Sequence, residues 1–356
     1  MALLRITSPH AHGRNRTQTV MLHVLIATLP AVCVLTWLFG WGTVINLIWA
    51  SALALGFEAA ILALRGRSLA FFLQDGSALV TAVLLALALP PFAPWWLTLI
   101  AVGFAIVFGK QLYGGLGQNP FNPAMLGYVV ALISFPAAMT SWPAVREMAA
   151  MTQGAVQPTL GLVDAFIRIF AAGQGLPDAW AHATALDTLK INNSLTISEL
   201  WATHPEFGWL GGRGVEAVNL AFLAGGLYLW ARHIISWHAP GGMLLGLALM
   251  SLLFWNGGGS DSNGSPLFHL LTGATMLGAF FIVTDPVSGA TSIKGRFIFG
   301  LGVGVLVYTI RTWGGYPDGV AFAVLLMNLA APTIDYYTRP RTYGHSSPSR
   351  GPNLGN

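Results

Sequence analysis

The chain has 356 residues, of which 54% are hydrophobic and only 8% charged, with a formal net charge of +4. A soluble domain carries about 25% charged residues, so 13 acids and 17 Lys+Arg cannot cover two soluble surfaces, and cations scattered at segment ends do not make the patch that a nucleic acid requires. The single cysteine, Cys33 in the apolar run AVCVLTWLF, excludes a disulfide framework and a CxxC metal site within the chain.

A helix crossing a hydrocarbon core of roughly 30 Å needs about 20 mostly apolar residues. Ten segments approach this, at 21–39, 43–64, 74–90, 94–110, 123–140, 215–231, 240–256, 268–284, 297–313 and 317–336. The first is long for a signal peptide and lacks an A-x-A cleavage site, so it reads as a retained span. Several are interrupted by Gly, Pro or an acid, and such spans need protein or a cavity around them to satisfy the backbone. The fold class expected is an all-α polytopic membrane protein. It divides into an N-terminal segment 1–20, a first five-helix repeat 21–140, a loop 141–214, a second five-helix repeat 215–336 and a tail 337–356.

The cations orient this arrangement. With the N-terminus cytoplasmic, ten spans return the C-terminus to the same side, and twelve of the 17 Lys+Arg fall inside. Arg146, Arg168, Lys190, Arg213 and Arg311 fall outside, four of them in the long loop. This bias follows the positive-inside rule and makes the loop extracytoplasmic.

The two halves resemble one another. GSALVTAVLLALALPP (76–91) matches LTGATMLGAFFIVTDP (271–286) in pattern, and KQLYGGLGQNPFNPAMLGYVVAL (110–132) matches RTWGGYPDGVAFAVLLMNLAAP (311–332). In both, a cation stands shortly before Gly-Gly and an apolar span follows. Five spans per half is odd, so the halves lie in opposite orientation, an arrangement that places function near their interface. Asn119 or Asn122, with Pro123 behind, reads as a helix start, either facing an anion or packed as a re-entrant turn.

Standard nucleotide cradles are missing, since there is no GxGxxG and no GxxxxGK[ST]. His233 and His238 are five apart, off one helix face, and beside Arg232 and Trp237 they read as an interfacial belt. The pattern that stands out is Asp, five residues, then Ala-preceded Thr. It occurs at Asp178–Thr184, followed by Ala185-Leu186-Asp187, and again at Asp285–Thr291. It resembles the recognition site of flavin transferases, which join FMN through its phosphate to a Thr hydroxyl.

With QLYGGLGQNPFNPAMLGYVVALISFP, HATALDTLK, HLLTGATMLGAFFIVTDPV and GGYPDGVAFAVLLMNLAAPTIDYYTRPR, nearly the whole chain resembles the RnfD family, membrane proteins of the Rnf complex. This is the ion-translocating ferredoxin:NAD⁺ oxidoreductase, also called Rsx. More distantly the chain resembles the NqrB family of the Na⁺-pumping NADH:quinone oxidoreductase. The resemblance implies ten helices in the bacterial cytoplasmic (inner) membrane and a covalent FMN on a Thr. It also implies partners of the RnfA, RnfB, RnfC, RnfE and RnfG types, a flavin transferase for maturation, and electron transfer coupled to Na⁺ or H⁺ movement. The more distant family makes a second flavin, riboflavin, an expectation as well.

The family's modified Thr lies in the loop between the halves, in a segment matching Ala183-Thr184-Ala185-Leu186-Asp187. The transferase acts outside the cytoplasm, and the topology puts Thr184 outside and Thr291 inside. Thr184 is therefore the expected attachment point, with Asp178, Ala183 and Asp187 around it. Among acids near the spans, Glu58, Asp75 and Asp285 are the ion-coupling candidates, because an ionisable group in hydrocarbon is costly and faces a cavity or a partner. Each also has a plain reading, as an interfacial ion pair or, for Asp285 before Pro286, a helix terminator. Lys110 reads as a head group at a cytoplasmic helix end. A small-solute channel of the urea type, without redox activity, would use the same ten-span frame.

Overall fold

The computed structural model describes residues 17–146, 161–172, 180–260 and 263–340. Among these there is no β-strand, only two isolated bridges, Pro143 with Ala181 and Phe207 with Gly212. Four helices are long and apolar enough to cross a membrane: α1 (Thr17–Phe39), α2 (Gly42–Leu64), α15 (Ile293–Trp313) and α16 (Val320–Tyr337). Between them lie α3 (Leu69–Leu73), α4 (Ser77–Ala88), α5 (Trp95–Gly103), α6 (Pro123–Ser134) and α7 (Pro136–Thr140). The loop region carries α8 (Leu162–Ile167), α9 (Ala185–Ile191) and α10 (Ile197–Thr203). The second half continues with α11 (Val215–Ala231), α12 (His238–Leu253), α13 (Pro266–Leu271) and α14 (Thr275–Leu277).

The long helices are apolar on all sides, as expected of helices that meet lipid on one face and protein on the other. Leu29, Trp37, Ile48, Leu64 and Leu253 stand exposed, while Ala27, Ala31, Ala50, Ala54 and Met243 are buried in one core that draws on both halves. The tightest pairing joins α12 to α15. A Cβ at Gly242 would meet Phe297 O, and one at Gly300 would meet Ala239 O. Only glycine lets two helix backbones approach this closely, the small-residue packing typical of membrane helices.

Where the sequence carries Gly, Pro or a polar residue the apolar stretches break. Segment 94–110 becomes α5 followed by a π-helical run, Phe104–Gln111. Segment 123–140 starts at Pro123 as expected, with Asn122 Oδ1 accepting from Met125 N at 3.2 Å, but breaks at Phe135. Segment 268–284 is divided three ways, into α13, α14 and a π-helical run Gly278–Ile282. Asn219 on α11 bridges that break. Its Nδ2 donates to Leu271 O at 3.1 Å and to Gly273 O at 3.0 Å, and its Oδ1 accepts from Met276 N at 3.0 Å, so the interrupted backbone is satisfied inside protein.

The polar stretch 141–214 is more than a linker. Ala185, Leu186, Leu189, Leu200 and Phe207 form a small core with Phe268 of α13, which seats α9 and α10 on the second half.

Candidate functional site

Thr184 is the N-cap of α9. Its Oγ1 donates to Asp187 Oδ2 at 2.6 Å and accepts from Asp187 N at 3.3 Å, while Thr184 N donates to the same carboxylate oxygen at 3.0 Å. This is a capping box, two orphan amides satisfied reciprocally. It fixes the hydroxyl in one place. Ala183 beside it is exposed and Ala185 is buried. Upstream, His182 N donates to Trp142 O at 2.8 Å. Downstream, Lys190 Nζ donates to Tyr316 O at 2.7 Å and to Ile310 O at 3.3 Å. Partial burial holds the Lys190 ammonium below the usual lysine range, against the pull of Asp187. The α9 segment is thereby tied to the last turn of α15.

Thr184 and Asp187 stand at the edge of a cavity of about 200 Å³ whose walls come from both halves. Leu87 of α4 and Tyr128 and Leu132 of α6 line it from one side, Leu277, Ile282 and Val320 from the other. Arg213 and His182 line it near Thr184. An apolar, partly aromatic chamber with a hydroxyl and basic side chains at one edge suits a group that is a flat ring system at one end and an anionic phosphate at the other. The residues present fit a flavin mononucleotide.

Two buried ionic clusters lie at the helix breaks. In the first half, Lys110 and Glu58 are both 2% exposed. Lys110 Nζ donates to Glu58 Oε1 and to Ser77 Oγ, each at 2.6 Å. Gln111 Nε2 donates to the same Glu58 oxygen at 2.7 Å, and Ser77 Oγ donates to Asp75 Oδ1 at 2.5 Å. The π-helical run brings adjacent Lys110 and Gln111 to one acid, as π-turns at functional sites do. In the second half, Arg311 Nη2 meets Asp318 Oδ1 at 3.1 Å and Thr275 Oγ1 at 2.9 Å, and Nη1 donates to His269 O at 2.8 Å. Asp318 Oδ2 accepts from Ala274 N at 2.7 Å.

The structure thus joins Thr184 to Asp187, and Glu58 to Asp75 through Ser77 and Lys110. Asp178 lies outside the described residues. Asp285 is elsewhere, closing a turn in which Oδ2 accepts from Ser288 Oγ at 2.7 Å and Oδ1 from Val287 N at 3.2 Å. Thr291 is exposed beside the first turn of α15, with its N–H on Asp335 Oδ1 at 2.9 Å. Because α9 is tied to the last turn of the same helix, the two Ala-Thr sites stand about 30 Å apart along it. Lys110 is not a head group at the surface, since Glu58 and Ser77 hold it inside. Sequence reasoning misses Gln111, Ser77, Arg311, Asp318 and Lys190 as site residues. The only signal in the sequence concerns Arg311 and the break beside it, in the cation that precedes each Gly-Gly.

The family model described as NQR2, RnfD, RnfE matches residues 5–344. The relatives compared here all share one description, the D component of an ion-translocating oxidoreductase complex. The chain is 73% identical over 355 residues to the one from Ectopseudomonas mendocina (strain ymp), covering 100% of each chain. It is 68% identical over 351 residues to the one from Pseudomonas aeruginosa (strain UCBPP-PA14), covering 99% of this chain and 98% of the relative. The Cellvibrio japonicus (strain Ueda107) relative is 54% identical over 355 residues, with 98% and 97% covered. With a match that runs almost from end to end, this chain belongs to the NQR2, RnfD, RnfE family.

Proposed function

We propose that the chain is the membrane redox subunit of an ion-translocating electron transport complex, carrying FMN on Thr184 through a phosphoester. The complex couples electron transfer between ferredoxin and NAD to movement of Na⁺ or H⁺. The observation that supports this reading best is the placement of Thr184. Its hydroxyl is held by Asp187 at 2.6 Å at the edge of a cavity walled by both halves. Bound there, the flavin would supply one-electron exchange with neighbouring redox partners.

The chain's own residues do the rest. The capping box orients the Thr184 oxygen, and Lys190 anchors the segment that carries it. Arg213 offers positive charge for a phosphodiester and His182 a ring nitrogen, while Tyr128, Leu277 and Ile282 keep water from the chamber. In this reading ten spans form two inverted sets of five, with both termini cytoplasmic and the 141–214 loop outside, where a flavin transferase reaches Thr184. The other subunits of the complex supply and receive electrons. Glu58 and Asp75 are the acids of the ion route, and Asp285 serves its own turn.

The test is a denaturing gel of the membrane fraction viewed under ultraviolet light. A fluorescent band at the position of this chain, abolished by Thr184→Val and kept in Thr291→Val, supports the assignment. A band that survives Thr184→Val overturns it.

A further inference from the structure

The Lys110 cluster holds an imbalance in its hydrogen bonding. Glu58 Oε1 receives two donors, from Lys110 and Gln111. Glu58 Oε2 and Gln111 Oε1 are buried with no hydrogen-bond partner among the described residues. Two strong acceptors left bare in an apolar interior cost free energy unless a positive or donating group meets them. They belong to adjoining groups, since the Gln111 amide is already bonded to the Glu58 carboxylate. Ser77 Oγ and, one step behind it, Asp75 Oδ1 add further oxygens on the other side of Lys110. This is an oxygen-lined spot with one ammonium already in it.

Charge then decides what can enter. Lys110 and Glu58 together are neutral. A metal cation arriving beside them would leave a net positive charge in a low-dielectric interior, which is strongly disfavoured. The cluster takes a cation only if the ammonium gives up a proton. Lysine can do this when buried, whereas arginine remains charged. Among the described residues, the other cations of the neighbouring elements are engaged elsewhere or lie apart. Arg67 Nη1 is bonded to Gly114 O at 3.0 Å, and Arg65 lies beyond the exposed end of α2. His23 of α1 is occupied by Tyr228 Oη at 2.7 Å. The ionisable residue of α6, Tyr128, lines the cavity instead. Access is short: Leu112, Tyr113 and Gly117, shortly after Gln111, are exposed or partly so.

We infer that the Glu58–Lys110–Gln111 cluster is an exchange site, at which a small monovalent metal cation binds Glu58 Oε2 and Gln111 Oε1 as Lys110 releases one proton to water. The ammonium N–H bond breaks, its electron pair stays on Nζ, and the net charge of the cluster is unchanged. This rests on the reading of the chain as part of an ion-translocating complex, and supplies that reading with a coupling site.

The test uses the intact complex in lipid nanodiscs without electron donor, with sodium chloride added against choline chloride in weakly buffered solution. Wild-type complex should release about one proton per sodium bound, and apparent sodium affinity should fall about tenfold per unit of falling pH, as direct competition requires. Lys110→Arg keeps the ion pair but cannot release a proton, so release should disappear and sodium binding drop at least tenfold. Lys110→Met should bind sodium without proton release and without pH dependence. If that variant fails to assemble, Lys110→Arg and the wild-type pH dependence decide. Absence of sodium-dependent release in wild type, as when water alone fills the spot, overturns the inference, as does unchanged release in Lys110→Arg. Ultraviolet fluorescence of the same samples reports Thr184 separately, so loss of the flavin reading and loss of the exchange site are distinguishable.

Discussion

The two buried cations Lys110 and Arg311 occupy similar places and do opposite things. Each precedes a Gly-Gly, each reaches an acid, and each bonds a hydroxyl in the first turns after a left-handed glycine, Gly76 (φ +75°) or Gly273 (φ +60°). Arg311 uses all three guanidinium nitrogens, with Nε on Asp318 Oδ1 at 3.4 Å, and both Asp318 oxygens are engaged. Lys110 makes two bonds, and its acid keeps one oxygen bare. A permanent charge with every partner satisfied is a clamp, whereas a titratable charge on an under-satisfied acid can be exchanged. The difference in residue type and in satisfaction, not in position, separates structure from function here.

The largest effect that would sharpen this contrast is expected from Arg311→Met. It strands Asp318 together with three acceptors, His269 O, Thr272 O and Thr275 Oγ1. Removing one partner of a buried pair costs about 3 kcal/mol or more, read as a collapse of complex assembly or of the detergent Tm. Arg311→Lys should recover only part of this, because an ammonium cannot reproduce the guanidinium fork. If Arg311→Met assembled with an unchanged Tm, the clamp reading would fail.

The glycines offer a smaller and more controlled comparison. Alanine in the left-handed region costs about 1–2 kcal/mol by itself. At Gly76 the nearest atom to a new Cβ is Met21 Cβ at 3.3 Å, so Gly76→Ala should lose little beyond that. At Gly273 the new Cβ would fall 2.6 Å from Asp318 Oδ2 and 2.7 Å from Arg311 Nη2, so Gly273→Ala should also part the ion pair. Equal shifts in Tm for the two variants would contradict the contrast.

The smallest effect is expected at Lys190. Lys190→Met removes two hydrogen bonds to backbone carbonyls from a partly exposed side chain, worth about 1 kcal/mol together. Hydrogen exchange in 185–191 should quicken while the rest of the core stays protected, and unchanged exchange there would show that α9 is held by its apolar core alone.

Much of the helical frame is legible in the sequence. Most of the apolar segments begin or end within a few residues of a helix, because a run of about 20 apolar residues leaves the backbone no other way to pair its polar groups. Segment 268–284 reads as one span and is broken at Gly273, whose positive φ no local pattern requires. The capping box at Thr184 follows from Thr-x-x-Asp, yet the sequence alone does not tell whether the carboxylate turns toward a cofactor or toward the hydroxyl. The position of Lys110 at a helix end suggests snorkelling, and the structure contradicts that. Its partner Glu58 lies 52 residues away in the sequence, and only the packing of α2 against the π-helical run brings the two together. Arg311, Asp318 and Lys190 escape sequence reasoning for the same cause, since their partners are backbone carbonyls and side chains that spacing along the chain does not reveal.

The most direct test of the flavin site is mass spectrometry of the proteolysed complex, read at the peptide containing Thr184 and at that containing Thr291. The expected result is an added FMN phosphoester on the Thr184 peptide, absent in Thr184→Val, and an unmodified Thr291 peptide. An unmodified Thr184 peptide from cells with an active flavin transferase, or the same adduct on Thr291, would contradict it.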